Sequence, residues 1–151
     1  MSKIKSTVSE KVLKTVLPWE KAIKTARWAR TMTKVRITLG AKAAVKWHFV
    51  EFGGLTGAES RGIIDFVAIR KNHKEVKGLK RGDLLDLILI QTKGGTATRP
   101  TASDTARLKK VAKHHNAKSV VLAEWKRGKA ANLYLLSGEK WVPASPSEIF
   151  A

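Results

Sequence analysis

The chain has 151 residues, of which 43% are hydrophobic and 28% charged; that is enough apolar material for one globular domain and too much for a disordered tail. No apolar run approaches the roughly 18 residues of a membrane-spanning helix, and no secretory apolar segment is read near the N-terminus, so neither a membrane partner nor export is expected. Cysteine is absent, which excludes disulfides and thiolate zinc sites and fits a cytoplasmic location.

Charge is the strongest compositional feature. Thirty Lys and Arg stand against twelve Asp and Glu, a formal charge of +18. Such an excess points to a polyanion, because Lys and Arg release condensed counterions from phosphate backbones. Nucleic acid is the expected partner, DNA before RNA, with activity at the nucleoid; anionic membranes and acidic proteins are the rivals. Residues 1–50 carry twelve Lys or Arg and only Glu10 and Glu20, whereas residues 51–86 hold six of the twelve acids. A protein that only coats phosphates gains nothing from gathering carboxylates, while one that brings a divalent cation to a phosphate does.

In chain order, Pro18 opens a helix expected over about 19–31, with Ile23, Ala26 and Arg30 at helical spacing. Lys21, Lys24 and Arg27 give it either a solvated basic face or a phosphate-contacting one. Trp19 and Trp28 pack a core or stack on bases. Residues 41–52 (AKAAVKWHFVEF) predict a second helix, with Val45, Phe49 and Phe52 on one side and Gly53-Gly54 as its stop. GIIDFVAIR at 62–70 and LLDLILIQTK at 84–93 read as buried strands, joined by an exposed turn at 71–83. Ser103 or Asp104 is placed to cap a helix running to about His115, with Leu108, Val111 and His115 inward. SVVLAEW, NLYLLS and EKWVP give further strands. The fold class is α/β: a central mixed sheet flanked by helices, in one domain made of a basic helical segment (1–40), a core (41–125) and a C-terminal hairpin (126–151).

Asp65 falls inside an apolar strand, between Ile63 and Val67. A carboxylate there costs several kcal/mol unless it is paired, hydrogen-bonded or metal-bound. An ion pair with a buried cation such as Lys93 would satisfy it, and so would a metal. Gln91 and Lys93 are two residues apart at the end of the next strand and share one face of it, continuing from Leu85, Leu87 and Leu89. Polar residues at the carboxyl end of a sheet strand sit where α/β proteins commonly bind ligands. His48, His73, His114 and His115 have no zinc spacing, and the Gly-containing loops match neither a P-loop nor a nucleophile elbow.

Taken with the order of elements, these residues resemble the PD-(D/E)xK nuclease superfamily, over roughly residues 41–125. The resemblance places that family's motif on Asp65 in IIDFVAI and on Gln91-Thr92-Lys93 in LILIQTKGG, with Glu51 of HFVEFGG as the acid of the first core helix and Glu59 as its rival. Ile64 stands where Pro is usual, and Gln91 where Asp or Glu is usual. It implies a restriction-endonuclease-like core and a Mg²⁺- or Mn²⁺-dependent endonuclease, either a resolvase-like enzyme or a small stand-alone DNA-processing nuclease, with a homodimer expected. The metal would be held by Asp65, the Gln91 amide oxygen, the Thr92 carbonyl and Glu51; Lys93 would stabilise charge on the phosphate. Arg61, Lys21, Lys24, Arg27, Lys109, Lys110 and Lys113 would track the backbone. The alternatives are a non-catalytic DNA- or RNA-binding protein on that scaffold and a basic structural protein of a nucleoprotein particle.

Overall fold

A computed structural model describes residues 18–40, 46–52, 62–94, 99–126 and 128–151, with only the backbone described at 18–23, 25 and 26. Its centre is one mixed sheet whose six strands lie side by side in chain order. These are β1 (His48–Glu51), β2 (Phe66–Asn72), β3 (Leu84–Gly94), β4 (Ser119–Trp125), β5 (Asn132–Ser137) and β6 (Lys140–Pro143). The first three form an antiparallel meander. β4 then joins β3 in parallel, so the chain must cross back over one face, and helix α2 (Ala102–His114) makes that crossing. β5 and β6 continue antiparallel. Helix α1 (Pro18–Gly40) and the single turn α3 (Pro146–Ile149) cover the other face. The observed class is α/β with a mixed sheet between helices, as expected.

Strand alternation divides the apolar residues between two cores. Phe66, Ala68, Ile88, Ile90, Val121 and Ala123 face α1, where Ile37, Trp47, Ile149 and Phe150 close the larger core. Val67, Leu89 and Val120 face α2 and meet Leu108 in a smaller one. Both faces of β2 and β3 are therefore apolar, which explains their unbroken hydrophobic runs.

Four expectations are corrected. The helix expected over 41–52 is a strand in its last part: Trp47 and Phe49 turn inward while His48 and Val50 are exposed, a period of two, and Phe49 packs edge-on against Phe66 with centroids 6.0 Å apart. Residues 41–45 and the Gly53-Gly54 stop lie outside the described residues. Helix α1 runs on to Gly40 rather than ending near Thr31, because Ala29, Thr33 and Ile37 extend its buried stripe, and Thr33 satisfies its buried hydroxyl on the Ala29 carbonyl at 2.7 Å. It stops where α3 crosses: a Cβ on Gly40 would lie 2.6 Å from the Pro146 Cβ, so only glycine fits. The cap of α2 is Thr101, whose hydroxyl takes the Asp104 N–H while the Asp104 carboxylate takes the Thr101 N–H. His115, expected inward, is the exposed C-cap residue.

The last residues are tied to the sheet by a cluster on β1 and β2. The Trp47 indole N–H donates to the Phe150 carbonyl at 3.1 Å. Arg70 lies over the Trp47 ring with its guanidinium carbon 4.4 Å from the centroid, and it donates to Asp86 at 3.0 Å and to the Ala151 main-chain oxygen at 2.6 Å. Burial pushes the Asp86 carboxyl up, but hydrogen bonds from Arg70 and Asn72, with the charges of Lys118 and Arg70, outweigh it and hold the pKa below its ordinary value.

Candidate functional site

β3 is the strand that positions the candidate residues. Ile88 and Ile90 point to the α1 face and Leu87 and Leu89 to the α2 face. By the same alternation Gln91 and Lys93 stand on the α2 face, and Thr92 on the α1 face. The parallel register sets Gln91 beside Leu122 and Lys93 beside Glu124 of β4. Polar residues thus begin where the apolar layer ends, at the carboxyl end of the two parallel strands. Gln91 is 7% exposed and Lys93 half-buried.

Asp65 directly precedes β2 rather than lying in mid-strand. Its N–H donates to the Ile90 carbonyl at 3.1 Å, and its Oδ2 accepts the Thr92 N–H at 2.6 Å and the Thr92 hydroxyl at 3.1 Å. Its own carbonyl accepts the Phe52 N–H at 3.3 Å. Main chain and side chain of Asp65 therefore bracket Gln91. The carboxylate supplies the acceptor that β3 needs once β2 has bent away, so the burial cost foreseen for Asp65 is met by Thr92. No Asp65–Lys93 ion pair forms among the described residues. Asp65 Oδ1 has no hydrogen bond among them.

The residue between these two backbone contacts carries an anomaly. The Gln91 Oε1 is buried with no hydrogen-bond partner among the described residues. An unmet buried acceptor costs about 1–3 kcal/mol, so its retention calls for a donor or a cation.

Other expected residues divide sharply. Glu51 lies in β1, not on a helix; its register partner is Phe66, which faces α1, and its carboxylate pairs with Lys34 of α1 at 3.0 Å. The structure does not gather it with Gln91 and Lys93, which face α2. Lys24 and Arg27 are exposed on α1. Arg61, Glu59 and the Lys21 and Trp19 side chains lie outside the described residues. Trp28 is half-exposed and meets Trp125 edge-on at 6.1 Å. Lys109, Lys110 and Lys113 occupy the second half of α2, which runs away from the carboxyl end of β3.

Sequence reasoning missed Glu124. In register with Lys93, it sits at the end of SVVLAEW with its side chain 13% exposed, held by Arg99 at 3.1 Å and Lys126 at 3.6 Å. The Arg99 guanidinium carbon lies 4.5 Å from the centroid of the Tyr134 ring. The hydrogen bond to Glu124 raises the Arg99 pKa against the opposing effect of burial. A lone acid ending an otherwise apolar strand was the available signal, the same one that drew attention to Gln91 and Lys93.

Among the described residues no three His, Cys, Asp or Glu side chains gather as a metal centre, and no described helix is long and apolar enough to cross a membrane. No family model, curated protein or solved structure matches the chain.

Proposed function

We propose that the chain is a Mg²⁺- or Mn²⁺-dependent endonuclease of the PD-(D/E)xK type that hydrolyses phosphodiester bonds in DNA, with Asp65, Gln91 and Lys93 as its centre. The observation that carries this reading is the buried Gln91 Oε1, without a partner among the described residues, two residues from Lys93 and bracketed by Asp65. The element order supports it: a helix, an antiparallel meander with Asp65 at the head of its second strand and Gln91-Thr92-Lys93 ending its third, then a helix and a parallel strand. We read this order as that of the restriction-endonuclease-like core that the sequence resemblance implies.

The residues present fit a hard cation. Asp65 keeps one oxygen without a partner among the described residues, and Gln91 offers a neutral amide oxygen, both suitable donors for Mg²⁺; the Thr92 carbonyl is a third. Bound there, the ion would supply an activated water and charge neutralisation at the phosphate. Thr92 is a positioning residue, fixing the Asp65 carboxylate through two bonds. Lys93 places an ammonium at the same strand end, where it stabilises negative charge building on the phosphate oxygens. Exposed cations bind the backbone without reading sequence.

A second reading, a non-catalytic nucleic-acid-binding protein on this scaffold, is favoured by one observation. Two other carboxylates of the sheet, Glu51 on β1 and Glu124 on β4, are each committed to a cation of the chain itself. One assay separates the two. Supercoiled, single-stranded and branched DNA are incubated with the protein in Mg²⁺, Mn²⁺ or EDTA, beside Asp65→Ala and Lys93→Ala. Divalent-dependent cleavage that falls at least about 100-fold in both variants is expected. Binding without cleavage of any substrate would leave the second reading.

A further inference from the structure

A groove of about 420 Å³ opens between the second half of α2, the start of β4 and the β5–β6 hairpin. Lys109, Lys110, Lys113 and Lys118 line it, with Ser119 and Leu136. All four lysines are exposed, and none forms an ion pair among the described residues. Lys118 does lie close enough to Asp86 to help depress its pKa. No acidic residue lines the groove; Glu139, in the hairpin turn beside Gly138, is the nearest in sequence.

Nothing in the fold accounts for this concentration. The C-terminal dipole of α2 favours cations only in its last turn, where Lys113 and His114 already stand. Lys109 and Lys113 are four residues apart on one helix, a like-charge spacing that weakens the helix by a few tenths of a kcal/mol. Side chains that repel one another around a concave surface are stabilised by an anion that spans them.

The groove is also separate from the candidate centre. Ser119 and Glu124 mark the two places along β4. Five residues at about 3.3 Å each put roughly 17 Å between them. That exceeds a Debye length of about 8–10 Å at physiological salt, so the end of the groove at Lys118 and Ser119 is largely screened from a phosphate at Lys93.

We propose that this groove is a second nucleic-acid contact, binding the phosphate backbone of a segment other than the one at Asp65, Gln91 and Lys93. It shares with the proposed function only the choice of nucleic acid as partner. Binding measured in EDTA is independent of cleavage, so each can fail alone.

The test compares two variants of equal charge on a 20-base-pair duplex in EDTA. One replaces Lys109, Lys110, Lys113 and Lys118 with Ala; the other replaces Lys46, Lys74, Lys80 and Lys129, exposed lysines scattered over three other parts of the fold. Each phosphate contact contributes about 0.9 to the slope of log K against log salt. The groove variant is expected to lower that slope by about 2–4 and to weaken binding at least about tenfold at 0.15 M salt, with the scattered variant changed much less. Equal losses in the two would show that only total charge matters and would overturn the proposal, as would an unchanged slope in the groove variant. Circular dichroism and thermal unfolding check that both remain folded. A groove variant that unfolds is replaced by the Lys110→Ala/Lys113→Ala pair against Lys46→Ala/Lys129→Ala, judged by the same comparison.

Discussion

At Asp65 a single carboxylate answers a backbone requirement and, in the proposed nuclease, a chemical one. The Thr92 N–H would lose its acceptor where β2 bends away, and Asp65 Oδ2 provides it at 2.6 Å. Replacing Asp65 with Ala strands that donor and is expected to cost about 1–3 kcal/mol in urea unfolding. Asp65→Asn keeps an acceptor oxygen and should recover most of that stability while remaining inactive; an active Asp65→Asn protein would remove the carboxylate from the chemistry. Asp86 serves stability alone. Its folded pKa is depressed, so the stabilisation is present above the unfolded value of about 3.9 and is lost as pH falls through the lower folded pKa. In urea titrations the wild-type advantage over Asp86→Ala should therefore be full at pH 6 and should shrink progressively below about pH 4. An advantage that does not change with pH would assign the effect to packing.

Helix α2 shows how much an element depends on its ends. It carries Lys109, Lys110, Lys113 and His114 on exposed positions and buries only Thr105 and Leu108. With so narrow a buried stripe, the reciprocal capping bonds of Thr101 and Asp104 matter more than they would in a well-packed helix. Thr101→Ala should lower stability by about 1 kcal/mol, read from chemical unfolding; no change would mean that packing on β4 alone holds the helix. β3 shows the opposite case. Buried on both faces through Ile88, Leu89 and Ile90, it takes its rigidity from the sheet and holds Gln91 and Lys93 at the strand end without help from a cap.

Across the whole molecule, charge and burial are kept apart. The sheet and its two cores contain few ionic groups, and those present are mostly matched: Arg70 with Asp86, Lys34 with Glu51, Arg99 and Lys126 with Glu124. The remaining positive charge lies outward, and α2 carries part of it away from the carboxyl ends of β3 and β4. This geometry separates backbone binding from chemistry: substitutions at the groove and at Lys93 belong to different assays. The same long-range closure ties the chain's last residues to β1 and β2 through Trp47 and Arg70.

The α/β class, β4 and β5 were legible from the sequence because unbroken apolar runs and two-residue spacing are local properties. Asp65, Gln91 and Lys93 were found because a polar group in an apolar strand needs a partner wherever the strand is placed. What met that need was decided by the tertiary structure: Thr92 satisfies Asp65, whereas the Gln91 Oε1 meets no donor among the described residues. The identity of 48–51 as a strand was likewise hidden, since Trp47, Phe49 and Phe52 fit helical and extended spacing alike until β2 supplied the ladder. Glu51 passed to Lys34, and Glu124 arrived beside Lys93, through contacts between residues 17 and 31 positions apart. Composition determined the excess of positive charge; only the direction of α2 across the sheet put Lys109, Lys110 and Lys113 away from the carboxyl end of β3, because a parallel pair of strands obliges its connecting helix to run back toward their amino ends.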